Sequence, residues 1–202
     1  MSYYEKLKKF NNRKDYAIDT NIAKLFLSYC LSKSHHKKIF IVGTGLGADY
    51  KITTNFKDLK IIGIEPRLSF QEVTSKTYSK FGGKLLPLNL GEFVKISKNL
   101  SGVFLFIHSI NHIPKNQLDI FRKRIKNSYI IVINPNSIIE KIVGKTDKTV
   151  ISYLDSKKIK QILNCEIIFD FFYNPKKLKK SKIFLREALL LKTKNLNLFL
   201  CK

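Results

Sequence analysis

Short apolar runs alternate with longer amphipathic stretches from residue 38 onward, and this alternation restricts the folds open to the chain. Short apolar runs bounded by turn residues are typical of strands buried on both faces of a parallel sheet. The predicted strands are 39–42, 60–64, 84–88, 103–107, 129–133, 166–172 and 184–191. The predicted helices between them are 69–81, 92–96, 115–126 and 156–163. This order predicts an α/β fold, a doubly wound sheet with helices on both faces.

The first part of the chain precedes this alternation. Residues 3–32 have apolar side chains near a 3.6-residue period and predict a helix, in which Asp19 or Thr20 caps a second segment. At 202 residues the chain has the length of one domain. We therefore divide it into an N-terminal helical segment, 1–36, and an α/β domain, 37–202, which together form one globular unit.

Composition argues against several classes of protein. No apolar stretch approaches the roughly 20 residues that span a bilayer, and residues 1–13 lack the apolar core of a secretory signal. We therefore expect a cytoplasmic protein without a membrane span. The three cysteines, Cys30, Cys165 and Cys201, are far apart and are not grouped with histidines. The sequence predicts neither a disulfide framework nor a metal site, and Cys30 and Cys165 are expected to be buried free thiols.

The chain carries 38 lysine and arginine residues against 15 aspartate and glutamate residues, a net charge of +23. Such an excess is typical of proteins that bind nucleic acid, because cations release counterions when they neutralise phosphates. A lysine-rich composition that follows from AT-rich coding sequence gives the same excess. Lysine also outnumbers arginine, which is the better residue for bidentate phosphate recognition. Both interpretations stay open, with nucleic acid as a candidate partner.

A glycine-rich loop follows the first predicted strand, at the edge where a doubly wound sheet binds its ligands. Gly43-Thr44-Gly45-Leu46-Gly47 has glycine at alternate positions, which lets the backbone approach a bulky ligand and turn into a helix. Glu65 ends the second strand, where an acid accepts hydrogen bonds from a ribose diol. The spacing of Gly43, Gly45 and Ala48 also matches the looser pattern of nicotinamide and flavin sites, and a plain strand-to-helix turn uses glycine too.

Two segments, 38–70 and 103–136, resemble the class I S-adenosylmethionine-dependent methyltransferases. The first has the family's order of strand, G-x-G-x-G loop, helix and strand ending in an acid. The second contains Phe104 to Pro114, which is similar to the family's fourth strand and its aliphatic-x-His-Ile-Pro loop. The resemblance implies a Rossmann-like, seven-stranded, mostly parallel sheet whose last strand is antiparallel. It also implies S-adenosyl-L-methionine as the cofactor.

The same resemblance assigns site residues and reveals departures. The implied cofactor contacts are Gly43, Thr44, Gly45 and Gly47 in the loop, Glu65 at the ribose and Asn89 at the adenine. Acids are usual in the family at three positions that here are Ile41, Asn89 and Gly102. A domain that keeps the fold without catalysis is therefore one alternative function.

His108 stands just past the fourth strand, on the side where the family places the methyl acceptor. It is the candidate general base, since imidazole exchanges a proton near neutral pH. The alternative is a structural histidine bonded to a backbone carbonyl.

The sequence thus predicts an S-adenosylmethionine-dependent methyltransferase whose preferred acceptor is a small molecule or a glycan. An RNA or DNA methyltransferase that uses the basic surface is one alternative, and a catalytically silent partner subunit of the same fold is another. The acceptor atom and the oligomeric state stay undetermined.

Overall fold

The computed structural model describes residues 14–135, 150–152, 154–173 and 186–194. The described helices are α1 (Lys14–Ser32), α2 (Leu68–Lys80), α3 (Leu90–Ile96), α4 (Lys115–Arg124) and α5 (Ser156–Leu163). The described strands are β1 (Lys38–Val42), β2 (Lys60–Ile64), β3 (Lys84–Leu86), β4 (Val103–Ile107), β5 (Tyr129–Pro135), β6 (Cys165–Tyr173) and β7 (Arg186–Thr193). No described helix combines the length and the apolar character that crossing a bilayer requires.

The strands form one sheet in the order β3-β2-β1-β4-β5-β7-β6. β1 pairs in parallel with β2 and β4, and β7 is antiparallel to both β5 and β6. The chain moves outward from β1 to β3 and then continues from β4 on the other side of β1, so the strand order reverses between β1 and β4. The predicted fold, a doubly wound seven-stranded sheet with an antiparallel last strand, is confirmed.

Alternate residues of the central strands face two separate cores. Phe40 of β1 and Phe104 of β4 lie in the core covered by α3, α4 and α5, where their rings stack with centroids 4.5 Å apart. Ile41 and Leu105, their neighbours along the chain, lie in the opposite core, which α1 and α2 cover. Because both faces of β1 and β4 are buried, these strands need apolar residues at successive positions. This explains why their sequences are continuous apolar runs.

Helix α1 is continuous over its described length, so the prediction that Asp19 or Thr20 caps a second segment is wrong. The Thr20 hydroxyl donates to the carbonyl of Ala17 at 2.9 Å, and Asp19 is fully buried. A polar side chain that finds a partner within or beside a helix does not need to end it. The part of the predicted helix before residue 14 lies outside the described residues.

The glycine loop leads into a short 3₁₀ helix, Ala48–Ile52, instead of the predicted α-helix between the first two strands. Both the amide and the hydroxyl of Thr53 donate to the carbonyl of Tyr50, at 2.9 and 2.7 Å. These bonds close the turn. The following residues, Thr54 and Asn55, have weak helix propensity and do not extend it.

The two described cysteines are buried free thiols, as predicted for Cys30 and Cys165. Burial raises the pKa of Cys165 to about 12 and also raises the pKa of Cys30. A thiol with a raised pKa carries little thiolate at neutral pH and is a poor nucleophile. These two residues therefore serve packing and not covalent chemistry.

Gly102 precedes β4 at a point where the neighbouring strand leaves no room for a side chain. A Cβ atom at Gly102 would lie 2.5 Å from the carbonyl oxygen of Lys38 and 3.0 Å from the ring of Phe40. The absence of an acid at this position therefore has a packing cause, since β1 and β4 approach closely here.

We expect Gly102→Ala to destabilise the fold by about 1–3 kcal/mol, because the backbone of β1 must move to admit the methyl group. Denaturant unfolding measures this change. Lys95→Ala, which alters an exposed side chain on α3, is the control and should shift stability by no more than about 0.5 kcal/mol. Equal stability of the two variants would contradict the close approach of β1 and β4.

Candidate active site

The glycine loop connects the carboxyl end of β1 to the neighbouring strands through its backbone. The amide of Gly43 donates to the carbonyl of Ile64 at 2.8 Å, and the amide of Gly47 donates to the carbonyl of Thr44 at the same distance. The three loop glycines have φ values of 70°, 53° and 78°. Positive φ is costly for other residues, so this path depends on glycine.

The surroundings of the glycines differ, and the difference marks the open side of the loop. A Cβ atom at Gly43 would lie 2.6 Å from Cβ of Ser109, and one at Gly47 would lie 3.3 Å from Thr74. A Cβ atom at Gly45 would have no neighbour within 4 Å. The tip of the loop at Gly45 therefore faces free space, while its two ends pack against β4 and α2.

Glu65 follows β2 and lies directly beside the loop, as the sequence predicted. Its carboxylate accepts the amide of Gly45 on Oε2 at 2.8 Å and the amide of Arg67 on Oε1 at 3.0 Å. Burial raises the pKa of Glu65, while these two amides and the charge of Arg67 act in the opposite direction. A carboxylate has about four acceptor positions. Two further hydroxyl groups therefore match its remaining capacity.

Asn89 follows β3 and caps α3. Its Oδ1 accepts the amide of Glu92 at 2.9 Å, and the Glu92 carboxylate accepts the amide of Asn89 at 2.9 Å. This reciprocal capping box fixes the orientation of the side chain. Oδ1 keeps one further acceptor position and the amide NH₂ group can donate, so Asn89 can still accept or donate a hydrogen bond in the predicted adenine contact.

His108 ends β4 in the left-handed backbone conformation, with φ of 55°. Its amide donates to the carbonyl of Ile133 at 2.7 Å, which fixes the residue at the edge of the sheet. Its Nε2 lies 2.7 Å from Oδ2 of Asp19 on α1. The side chain of Asp19 is 1% exposed and that of His108 is 15% exposed. A buried carboxylate thus orients a partly accessible imidazole.

Sequence reasoning missed the role of Asp19, although a signal for it exists. Asp19 precedes Ala23 by four residues and Phe26 by seven, so it lies on the same buried face of α1. An acid on an apolar helix face requires a polar partner. The partner, His108, is 89 residues away and follows only from the folded structure.

Several buried polar atoms near the carboxyl ends of the strands have no hydrogen-bond partner within the described parts of the chain. They are the hydroxyl oxygens of Thr44 and Ser109 and the side-chain oxygen of Asn134. An unsatisfied buried polar atom costs about 1–3 kcal/mol. A ligand with polar groups that binds at this edge would meet these atoms, so the residues present fit a polar cofactor.

Asp49 is a second buried acid that the sequence did not single out. It lies in the 3₁₀ helix after the loop, is 4% exposed, and its Oδ1 has no partner among the described residues. Burial raises the pKa of Asp49 well above its ordinary value. Burial and the nearby Asp49 together raise the pKa of Tyr78. Burial thus favours the neutral forms of both Asp49 and Tyr78.

We expect Asp49→Asn to stabilise the protein at pH 7.5 by about 1–2 kcal/mol, a rise in Tm of roughly 2–8 °C. A carboxyl whose pKa is raised by folding binds more protons in the folded state than in the unfolded chain. The stability that protonated Asp49 gives the folded protein is present at acidic pH and is lost as the pH rises through the raised pKa. The stability gained by Asp49→Asn should therefore be smaller at pH 4.5 than at pH 7.5.

Thermal unfolding at both pH values tests this expectation. Asp58→Asn is the matched control, because Asp58 is exposed and its positive φ of 59° suits asparagine as well. A gain at Asp49 that does not change with pH would contradict the burial of an ionisable carboxyl.

The sequence matches no protein-family model and no curated protein sequence. The structure is similar to an S-adenosylmethionine-dependent methyltransferase from Archaeoglobus fulgidus, with a TM-score of 0.70, 15% identity, and coverage of 95% of this chain and all of that one. It is also similar to such a methyltransferase from Clostridium acetobutylicum, with a TM-score of 0.67, 11% identity, and coverage of 95% and 99%.

A third similar structure is the plantazolicin methyltransferase BpumL in complex with SAH. Its TM-score is 0.66 at 12% identity, over 94% of this chain and 89% of that one. The strand order, the coverage of both chains and the TM-scores all indicate the same fold. The chain therefore has the class I S-adenosylmethionine-dependent methyltransferase fold.

Proposed function

We propose that the protein is an S-adenosylmethionine-dependent methyltransferase. The observation that carries this proposal is the pairing of Gly45 with Glu65, at 2.8 Å, on the open side of the loop that ends β1. In a doubly wound sheet a nucleoside-containing ligand binds at this edge, next to the point where the strand order reverses. Methyltransferases of the same fold, one of them with SAH bound, support the choice of cofactor.

The cofactor contacts we propose are those of the sequence analysis. The loop Gly43, Thr44, Gly45 and Gly47 would contact the amino acid part, Glu65 the ribose hydroxyls, and Asn89 the adenine. The buried hydroxyls of Thr44 and Ser109 supply further polar contacts at this edge. When bound, S-adenosylmethionine supplies an electrophilic methyl group. The residues of this chain orient the acceptor in line with it and exclude water.

His108 is the proposed general base, and Asp19 is the proposed residue that positions it. The Asp19 carboxylate, 2.7 Å from Nε2, would fix the tautomer in which that nitrogen carries the proton. The imidazole held in this way would then accept a proton from an acceptor hydroxyl or amine.

The proposed acceptor is a small molecule or a glycan. Arg67, Lys115, Lys157 and Lys158 lie at the carboxyl edge of the sheet, where Glu65, Glu92 and Asp155 offset most of their charge. This balance of charge among the described residues suits a compact acceptor better than a polyanion.

We expect the protein to bind S-adenosylmethionine and SAH with a Kd on the order of micromolar in calorimetric titrations, and not to bind NAD. Glu65→Ala should weaken both affinities at least tenfold, because the ribose hydroxyls lose a charged acceptor. Glu72→Ala, an exposed acid on α2 that pairs with Lys76, is the control.

Each result separates one hypothesis. Binding that is unchanged in Glu65→Ala would contradict the site assignment, while binding of NAD alone would contradict the class of cofactor. Failure of all three ligands to bind would contradict the proposed methyltransferase activity and would favour a catalytically silent partner subunit.

Methyl transfer from radiolabelled S-adenosylmethionine to panels of amines, alcohols, oligosaccharides and RNA identifies the acceptor. With that acceptor, His108→Asn should lower kcat by about 10²- to 10⁴-fold and leave cofactor affinity unchanged. Asp19→Asn should lower kcat at least tenfold with little change in KM, since the tautomer of the imidazole is no longer fixed.

Asp170→Asn is the control for Asp19→Asn, because it also replaces an acid but at an exposed position on β6. A normal kcat in His108→Asn would contradict the role of His108 as general base but would be compatible with methyltransferase activity. Transfer to RNA alone would replace the small acceptor by the nucleic-acid alternative.

A further inference from the structure

The edge of the sheet opposite the glycine loop carries a row of lysines. Six of the seven strands have a lysine at this edge. In the parallel strands it lies at or near the start of the strand, and in the antiparallel β7 it lies just past the end. They are Lys60, Lys38, Lys84, Lys98, Lys126 and Lys194. All are exposed except Lys38, which is half-buried. We call this set the lysine edge.

Backbone hydrogen bonds fix the positions of several members of the lysine edge. The amide of Lys60 donates to Lys37 at 2.7 Å, and Lys38 and Lys60 are direct partners in register. Farther along, the amide of Lys126 donates to Leu100 at 3.4 Å. The six strands that carry these lysines, at a spacing of about 4.8 Å, give the edge a length of roughly 24 Å.

Helix geometry accounts for only part of the lysine edge. Cations at helix C-termini are favoured by the helix dipole, which explains 122–124 at the end of α4 and also favours Lys98 and Lys126, just past the C-caps of α3 and α4. Lys38 and Lys60 instead begin neighbouring strands in register, where like charges repel each other. An anionic partner along the edge would offset this repulsion.

A cleft of about 210 Å³ opens at the same edge, where α4, α5 and the ends of β6 and β7 meet. Arg122, Lys194, Asn164 and Thr193 contribute its polar lining. Two cations and two neutral polar groups around a recess suit a phosphate group. Of the acids near the cleft, Glu166 is paired with Lys192 at 3.1 Å and Asp119 lies 3.7 Å from Arg122, while no described ion pair joins Lys194 to an acid.

We propose that the lysine edge binds the phosphate backbone of a nucleic acid. A linear row of cations matches a chain of phosphates, whereas insertion into a membrane needs one apolar patch. The exposed apolar residues described at this edge, Phe81 just past α2 and Ile96 at the end of α3, lie on opposite faces of the sheet and form no such patch. Since this edge is opposite the glycine loop, the nucleic acid localises the protein and does not enter the candidate active site.

The test is binding of a fluorescein-labelled 20-nucleotide single-stranded RNA, and of DNA of the same length, measured by anisotropy between 50 and 200 mM salt. We expect binding that weakens with salt. The triple variant Lys60→Gln, Lys98→Gln, Lys126→Gln should lose at least tenfold in affinity at 100 mM salt. The slope of log K against log salt should fall by about 2, as expected for three phosphate contacts to a single strand.

The matched control is Lys115→Gln, Lys157→Gln, Lys158→Gln, which removes the same charge from the carboxyl edge and should change affinity less than threefold. Equal losses in both triples would overturn the proposal, since binding would then follow net charge alone. Absence of RNA and DNA binding, or binding only to phosphatidylserine vesicles, would also overturn it. Titration with S-adenosylmethionine should be unchanged in both triples, so this outcome is independent of the proposed enzyme activity.

Discussion

Burial of the central strands on both faces is the constraint on which the rest of the structure depends. β1 and β4 have a core on each side, and β4 is buried along its whole length. Polar groups are excluded from the interior of such a sheet unless they are paired. Polar side chains are therefore confined to the strand ends, where Glu65 and His108 of the proposed site lie. The same constraint places the lysines at the opposite ends.

The departures from the methyltransferase pattern have different physical meanings in the folded chain. Ile41 packs in the core beneath α1, so an acid there would be buried among apolar side chains. Gly102 is required by the approach of β1. Asn89 keeps a helix cap that an acid would also provide. Two of the three positions thus serve the fold, and only Asn89 remains next to the proposed cofactor.

Local pattern predicted the strands and most helices because their residues must match a regular burial period. The apolar runs, the glycine loop and Glu65 could be placed from sequence for this reason. The 3₁₀ helix after the loop was not predicted, because hydrogen bonds from Thr53 to a single carbonyl decide where the turn closes. The Asp19–His108 pair and the burial of Asp49 could not be predicted either, since each depends on how distant elements pack.

The 89-residue separation of Asp19 and His108 has a consequence for how this part of the protein folds. Closing so long a loop costs chain entropy that one polar contact does not offset. The pair exists only while α1 is docked beside the end of β4. Order at the histidine therefore depends on this docking. Any event that lifts α1 away would disorganise this edge and would also expose the apolar face of the central strands that α1 covers.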